Sequence, residues 1–254
     1  MSHLKGQVAI VGIGEVPTGR YPDTAAIYHA IEPAKQAIKD AGIDKDEIDF
    51  VMPTASLFSP PFNTELVTAR IVEELGLKHC KKNCQIFAGG ASSSCGLQLA
   101  GSLIASGAAN YVLYVHAERL GTGVSAQGGI DLFATAGISA EWEVFYGQHY
   151  SAVAALTTTR YQYETGTTDE QFASVCVSNR KWAELNPNAF FRKPLTIEEV
   201  MASKMLSTPL RAKMSNMLFD GGSAFIVTSA ERAKDLPNKP VYVLGESGRV
   251  THFV

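Results

Sequence analysis

The densest chemistry in the 254-residue chain lies between an apolar stretch ending at Phe87 and a helical stretch from Leu97, in Gly89-Gly90-Ala91-Ser92-Ser93-Ser94-Cys95. Paired glycines permit a tight strand-to-helix turn. Such a turn presents the backbone N–H groups of Gly90, Ala91 and Ser92 at a helix amino terminus, where the macrodipole favours developing negative charge. Gly89, Gly90, Ala91 and Ser92 are the candidate binding residues, although a tight turn alone accounts for the glycines equally well. Proton transfer has two candidates. His149, in Phe145-Tyr-Gly-Gln-His-Tyr, offers an imidazole near neutrality, but a His flanked by aromatics is more often a packed, hydrogen-bonded residue. Tyr146 is a possible acid, with nothing in the sequence to lower its pKa. His116 and Glu118 end an apolar run where α/β folds place ligands. Asp220-Gly-Gly reads as a turn. His79, Cys80 and Cys84 lack a second ligand pair, so no metal site is expected.

The elements that must position these residues alternate. Gln7 to Val16 reads as a buried strand, and a helix capped by Asp23 or Thr24 ends at Gly42. Ile48 to Met52 is a strand, Glu65 to Leu75 a helix and Cys84 to Phe87 a third strand. Leu97 to Ala105 is a helix apolar nearly all round, the pattern of a helix buried within a protein, and Ala109 to His116 is a fourth strand. The order predicts an α/β domain over residues 1–117, layered α-β-α with a mainly parallel central sheet. Residues 118–206 break the pattern with isolated aromatics (Phe133, Trp142, Phe145, Tyr146), then helices at Ser151 to Tyr163 and Asp169 to Leu185. Thr167 or Thr168 caps the second of these, and Thr196 with Glu199 forms a capping box; the segment reads as a lid and helical insertion. Residues 207–254 return to the core through strands at Gly222 to Thr228 and Pro240 to Leu244, with Ala230 to Leu236 helical between them.

Composition excludes several classes. With 46% apolar residues, 22 basic against 25 acidic and a net charge of -3, the chain is an ordinary globular protein. No basic stripe marks a nucleic-acid partner. No run approaches the ~20 apolar residues of a membrane helix, and the start lacks a leader pattern, so a cytoplasmic setting without membrane contact is expected. Four cysteines fit a reducing compartment.

Three stretches resemble the thiolase superfamily, in the branch of the sterol-carrier and lipid-transfer thiolases. They are Ile86 to Glu118, Asn186 to Leu210 with its Asn-Pro, Thr-x-Glu-Glu-Val-x-x-Ser and Pro-Leu, and Asp220-Gly-Gly-Ser-Ala followed by Ser229-Ala-Glu-Arg-Ala. The resemblance implies the amino-terminal half of a thiolase-like subunit, about three-fifths of one, so the remainder is expected on another polypeptide or a longer chain. The family's catalytic Cys lies about fourteen residues before the Leu103-Ile104 pair, and counting back from Ile104 gives Gly90. Cys95 would then lie inside the helix as a small core residue, its side chain buried. The Gly-Gly-Ala-Ser turn resembles cysteine-less members, some of which are retro-aldolases on acyl-CoA. The family's Glu at position 118 is mainly a loop-holding residue.

The implied function is C–C bond cleavage or formation on an acyl-CoA thioester, with loss of the Cys favouring aldol or retro-aldol chemistry on a 3-hydroxyacyl-CoA. The enolate charge must be held as it forms, which suits N–H donors at the turn. A Cys95-dependent acyltransferase and a noncatalytic CoA- or lipid-binding scaffold are the alternatives. No covalently bound cofactor is implied, and coenzyme A enters as part of the substrate. The implied partners are a second copy in a homodimer pairing the strand near Cys84 to Phe87, the carboxyl-terminal thiolase half, and a small zinc-ribbon and OB-fold subunit. The general base is expected outside this chain.

Overall fold

The structure, a computed structural model, describes residues 4–54, 66–125, 128–129, 139 and 141–249. Phe133, one of the isolated aromatics of the expected lid, lies outside them. The chain forms two units, one built up to Gly123 and again from Phe219, the other from Val124 to Leu218.

The first unit is a mixed six-stranded sheet with helices on both faces. In chain order its elements are β1 (Val8–Gly19), α1 (Tyr28–Ala41), β2 (Phe50–Pro53), α2 (Val67–Leu75), β3 (Lys82–Asn83), α3 (Ser92–Ala105), β4 (Val112–Arg119), the short α4 (Leu120–Gly123), and, after the second unit, β7 (Asp220–Ser229) and β8 (Val241–Tyr242). The strand order is β3-β2-β4-β7-β1-β8. Strands β3, β2 and β4 pair in parallel, whereas β7 is antiparallel to both β4 and β1, and β8 to β1. β1 therefore runs with β2, β3 and β4, and only β7 and β8 reverse.

Alternation along the central strands sends side chains to two cores. Leu113, Val115, Ala224 and Ile226 face α1 and α2, meeting Ala30, Ile31, Ala34, Ala37, Ile38 and Ile71. Val112, Tyr114 and Val227 face α3, meeting Ala100 and Ile104. α1 lies almost on the β1 backbone. A Cβ at Gly12 would fall 2.3 Å from the Ala37 carbonyl oxygen, and one at Gly14 would fall 2.0 Å from that of Pro33. The small residues Ala34, Ala37 and Ala41 complete the approach. Pro33 within α1 cannot donate to the His29 carbonyl, and that oxygen lies 1.8 Å from where a Cβ at Gly222 would stand.

α1 ends as expected, at Gly42 in the left-handed conformation (φ 67°), but it begins at Tyr28 rather than beside Asp23 or Thr24. Between Tyr21 and Ile31 the backbone makes successive turn bonds, Thr24 to Tyr21 and Tyr28 to Ala25 among them, that consume the first donors without a side-chain cap. The strand expected at Cys84 to Phe87 is displaced: β3 is Lys82–Asn83, and Ile86 makes one parallel bridge to Thr54.

The second unit contains α5 (Tyr150–Thr165), α6 (Asp169–Leu185), α7 (Ile197–Met201) and a two-stranded ribbon, β5 (Met205–Ser207) with β6 (Leu210–Arg211). The expected capping box of Thr196 with Glu199 forms, and of the two cap candidates for α6 it is Thr168 that serves, in a box with Gln171. Its small core joins Ala173, Leu195 and Val200.

Candidate functional site

The site candidates of the first unit gather at the amino-terminal turn of α3 and the carboxyl end of β4. Ile86 N–H donates to the Pro53 carbonyl (3.0 Å), which leads the chain along the end of β2 into a 3₁₀ turn, Gly89–Ala91, that runs directly into α3. Gly89 takes φ 52°, so the turn requires glycine there. Ser92 closes it. Its hydroxyl donates to the Gly89 carbonyl (2.7 Å) and accepts from the Ala88 N–H (3.0 Å).

The turn changes the expected donor set. Ala91 N–H donates to the Ala88 carbonyl and Ser92 N–H to that of Gly89, because a 3₁₀ turn bonds each amide three residues back. Among the described residues Gly90 N–H has no partner, so one donor remains of the three expected. Gly90 has an ordinary φ, and a Cβ on it or on Gly89 would meet nothing within 4 Å. Among the described residues nothing requires glycine at position 90, and none fills the space beside it.

Cys95 corrects an expectation. α3 begins at Ser92, so Cys95 is its fourth residue, and the inward face is Ser92, Gly96, Ala100 and Ile104 at four-residue spacing. Cys95 lies off that stripe and is exposed rather than buried. The same stripe shows that α3 buries one face in this chain, not its whole circumference, and Leu99 points outward.

On β4, Tyr114, His116 and Glu118 share the sheet face that carries α3. Tyr114 is buried beneath α3; His116 and Glu118 continue its row beyond the helix start, with His116 Nε2 3.5 Å from Glu118 Oε1. His116 Nδ1 is buried without a hydrogen-bond partner.

On the opposite face lies an assembly that the sequence did not announce. Asp220, 1% exposed, opens β7 instead of making a turn. Its carboxylate accepts from Tyr21 N–H (2.9 Å), Gly121 N–H (2.7 Å), Thr122 N–H (3.0 Å) and the Thr122 hydroxyl (2.6 Å). Burial alone would raise its pKa, but the bonds from the Thr122 side chain and the three amides outweigh burial and hold it below the ordinary carboxylate range. Nearby, His29 is fully buried between the Tyr21 and Tyr28 rings, and neither ring nitrogen has a partner. Its pKa falls because burial disfavours the cation, reinforced by Arg119 and opposed by Asp220. Asp220 followed by two glycines, before an apolar strand, was the available signal for the first feature. For His29 there was only a polar residue on the apolar face of α1.

His149 and Tyr146 belong to the second unit, not to the unit holding the turn. His149 precedes α5, and its Nδ1 lies 2.8 Å from the Ser151 hydroxyl. Tyr146 ends a 3₁₀ turn, edge-on to Phe145 at 5.3 Å and largely exposed. Among the described residues no three His, Cys, Asp or Glu gather as metal ligands, and no helix is long and apolar enough to cross a membrane.

The fold and the motif order together have counterparts among known proteins. The chain is 31% identical to a steroid side-chain-cleaving aldolase of Thermomonospora curvata over 96% of its length and 62% of that protein's. It is equally 31% identical to an acetyl-CoA acetyltransferase of Methanothermobacter thermautotrophicus over 93% of its length and 60% of the relative's. A solved structure described as an Ltp2-ChsH2(DUF35) aldolase superposes with a TM-score of 0.83 at 29% identity, over 98% of this chain and 63% of that one. A monomeric SCP2-thiolase like protein of Mycobacterium smegmatis shares the fold, with a TM-score of 0.67 at 21% identity over 92% of this chain and 48% of that one. The chain belongs to the thiolase superfamily. It spans about three-fifths of the length of the curated relatives it matches. No family model matches it. Because thiolase-superfamily relatives named as aldolase and as acetyltransferase match equally well, similarity alone does not choose the reaction. That choice falls to the residues at the α3 turn.

Proposed function

We propose that the chain supplies the amino-terminal α/β portion of an enzyme that cleaves or forms a C–C bond in an acyl-CoA, by aldol or retro-aldol chemistry on a 3-hydroxyacyl-CoA. The observation that carries this reading is the α3 turn. Among the described residues it offers an unpartnered Gly90 N–H with no neighbour beside it, at a helix amino terminus, and it bears no nucleophile at Gly90. In the retro-aldol direction the 3-hydroxyl loses its proton to a base and the C2–C3 bond breaks. C3 leaves as a carbonyl compound, and C2 takes the electron pair as a thioester enolate that is then protonated. A donor at the thioester oxygen stabilises that enolate, and one such donor is worth about 3–4 kcal/mol of barrier. The relative named as a steroid side-chain-cleaving aldolase supports this chemistry. Coenzyme A takes part as the carrier of the substrate.

The exposure of Cys95 favours a second reading, a cysteine-dependent acyltransferase, in line with the relative named as an acetyltransferase. Cleavage of a 3-hydroxyacyl-CoA by the full-length subunit with its associated chains, and retention of that activity in Cys95→Ala, tests the first reading against the second.

The chain is further proposed to act in an assembly: a homodimer, completed by a carboxyl-terminal thiolase half and by a zinc-ribbon and OB-fold subunit. The Ltp2-ChsH2(DUF35) match supports the hetero-oligomer. The outward, partly apolar side of α3 and the edge position of β3 beside exposed Phe87 support the contact surfaces. His149 and Tyr146 remain the proton-transfer candidates contributed by the second unit.

A further inference from the structure

Tyr114 stands on β4 directly under the α3 turn and is 1% exposed. Its ring stacks on Phe225 (centroids 4.6 Å apart, 17° between planes), and α3 rests on its other side: a Cβ at Gly96 would lie 2.5 Å from Tyr114 Cε2. Phenylalanine would fill this space as well, stack as well and be easier to bury, so packing does not account for the hydroxyl. Among the described residues the hydroxyl has two partners. One is the Thr54 hydroxyl, itself 4% exposed, and the other is the Ser93 hydroxyl at 3.3 Å, in the first turn of α3.

Three segments converge on that oxygen. Thr54 follows β2, its N–H donating to the Val115 carbonyl (2.8 Å), and it bridges Ile86 in the segment that enters the turn. Ser93 directly follows the residue that closes the turn. Tyr114 therefore joins the sheet floor, the entering segment and the helix start through one buried oxygen.

We propose that Tyr114 is a positioning residue for the reaction. Its hydroxyl, held by Thr54, fixes the first turn of α3 through Ser93 and so sets where the Gly90 N–H points. This rests on the retro-aldol reading given above. A displacement of about 1 Å at a reacting centre can cost a hundredfold in rate, so the removal of one hydroxyl from this chain is expected to act on turnover more than on affinity.

The test uses the full-length subunit with its associated chains and a 3-hydroxyacyl-CoA. Tyr114→Phe and Ser93→Ala each lower kcat at least tenfold with KM within twofold, and the double variant loses no more than the worse single one. Thr54→Val behaves likewise, whereas Thr54→Ser, which keeps the hydroxyl, retains the wild-type rate. Wild-type kcat in Tyr114→Phe, or losses that multiply in the double variant, overturns the proposal. Hydrogen exchange provides an arm that needs no turnover: Tyr114→Phe speeds exchange in the peptide spanning Gly89 to Gly96 and leaves α1 unchanged. If the wild-type enzyme cleaves nothing, the retro-aldol reading fails and exchange alone decides the role of Tyr114. Unchanged exchange in Tyr114→Phe then overturns it.

Discussion

Asp220 provides the sharpest test of how the first unit is held together. One carboxylate oxygen accepts from Gly121 N–H and Thr122 N–H, the other from Tyr21 N–H and the Thr122 hydroxyl. Asp220→Ala orphans three backbone donors in a buried setting; the hydroxyl can rotate to another partner. An orphaned buried donor costs about 1–3 kcal/mol, so the sum is roughly 3–6 kcal/mol after relaxation, at the upper end for single substitutions. Asp220→Asn keeps one oxygen for Gly121 and Thr122 but turns an NH₂ toward the Tyr21 N–H, leaving one donor unpaired and removing the charge. Its cost is about 2–3 kcal/mol. At 2–4 °C per kcal/mol for a chain of this size, the asparagine variant melts roughly 4–12 °C below wild type and the alanine variant lower still. Urea unfolding monitored by circular dichroism measures both. An alanine variant within 1 kcal/mol of wild type would refute the reasoning, as would an asparagine variant less stable than alanine.

Four further outcomes follow from the packing and the turn. Gly12→Ala brings a Cβ to 2.3 Å from the Ala37 carbonyl oxygen and 2.7 Å from Ala41 Cβ, so α1 must move off β1 at a cost of about 3 kcal/mol in urea unfolding. Gly107→Ala, where a side chain meets nothing, costs less because only its left-handed φ of 72° is strained. His29 has a folded-state pKa below its ordinary 6.5, so the unfolded state binds the proton first; stability is full above about pH 6.5 and declines as pH falls from there toward the folded pKa. His29→Leu removes that decline and, with two unpartnered nitrogens gone, matches or exceeds wild-type stability at pH 7; a variant with the wild-type slope between pH 5 and 7 would contradict the assignment. Gly90→Val leaves the melting temperature within about 2 °C, since its side chain meets none of the described residues, while abolishing turnover of the complete enzyme; normal kinetics in the folded variant would reject the turn as the thioester site.

Much of the first unit was legible because its signals are local. Gly42 ends α1 in the left-handed conformation that glycine tolerates, and in the second unit the Thr196–Glu199 capping box likewise lies within four residues of chain. The same locality explains the misplaced boundaries. Three consecutive serines read as loop, yet the Ser92 hydroxyl satisfies the ends of the Gly89 turn and lets α3 begin there, which carries Cys95 onto the exposed face. α1 begins at Tyr28 and not beside Asp23 or Thr24, in a segment whose Tyr21 amide is held by Asp220, almost two hundred residues away and invisible to a local reading. The candidate site divided the same way. The turn was visible as composition, but which of its amides was spent depended on 3₁₀ geometry that composition does not encode. Tyr114 was hidden because a tyrosine inside an apolar strand reads as core until its hydroxyl is seen to meet Thr54 and Ser93.

The most direct test of the central claim is the coenzyme A requirement of cleavage. Retro-aldol scission of a 3-hydroxyacyl-CoA yields a carbonyl compound and a shorter acyl-CoA without consuming thiol, whereas thiolysis cleaves a 3-oxoacyl-CoA, takes up one free coenzyme A per bond broken and passes through an acyl-cysteine. The full-length subunit with its associated chains, freed of coenzyme A and incubated with a 3-hydroxyacyl-CoA, is predicted to release both products in equal amounts by mass spectrometry. Cys95 is predicted to remain unmodified. No cleavage of the 3-hydroxyacyl-CoA, together with cleavage of the matching 3-oxoacyl-CoA only when free coenzyme A is added and an acyl adduct on Cys95, would contradict the account.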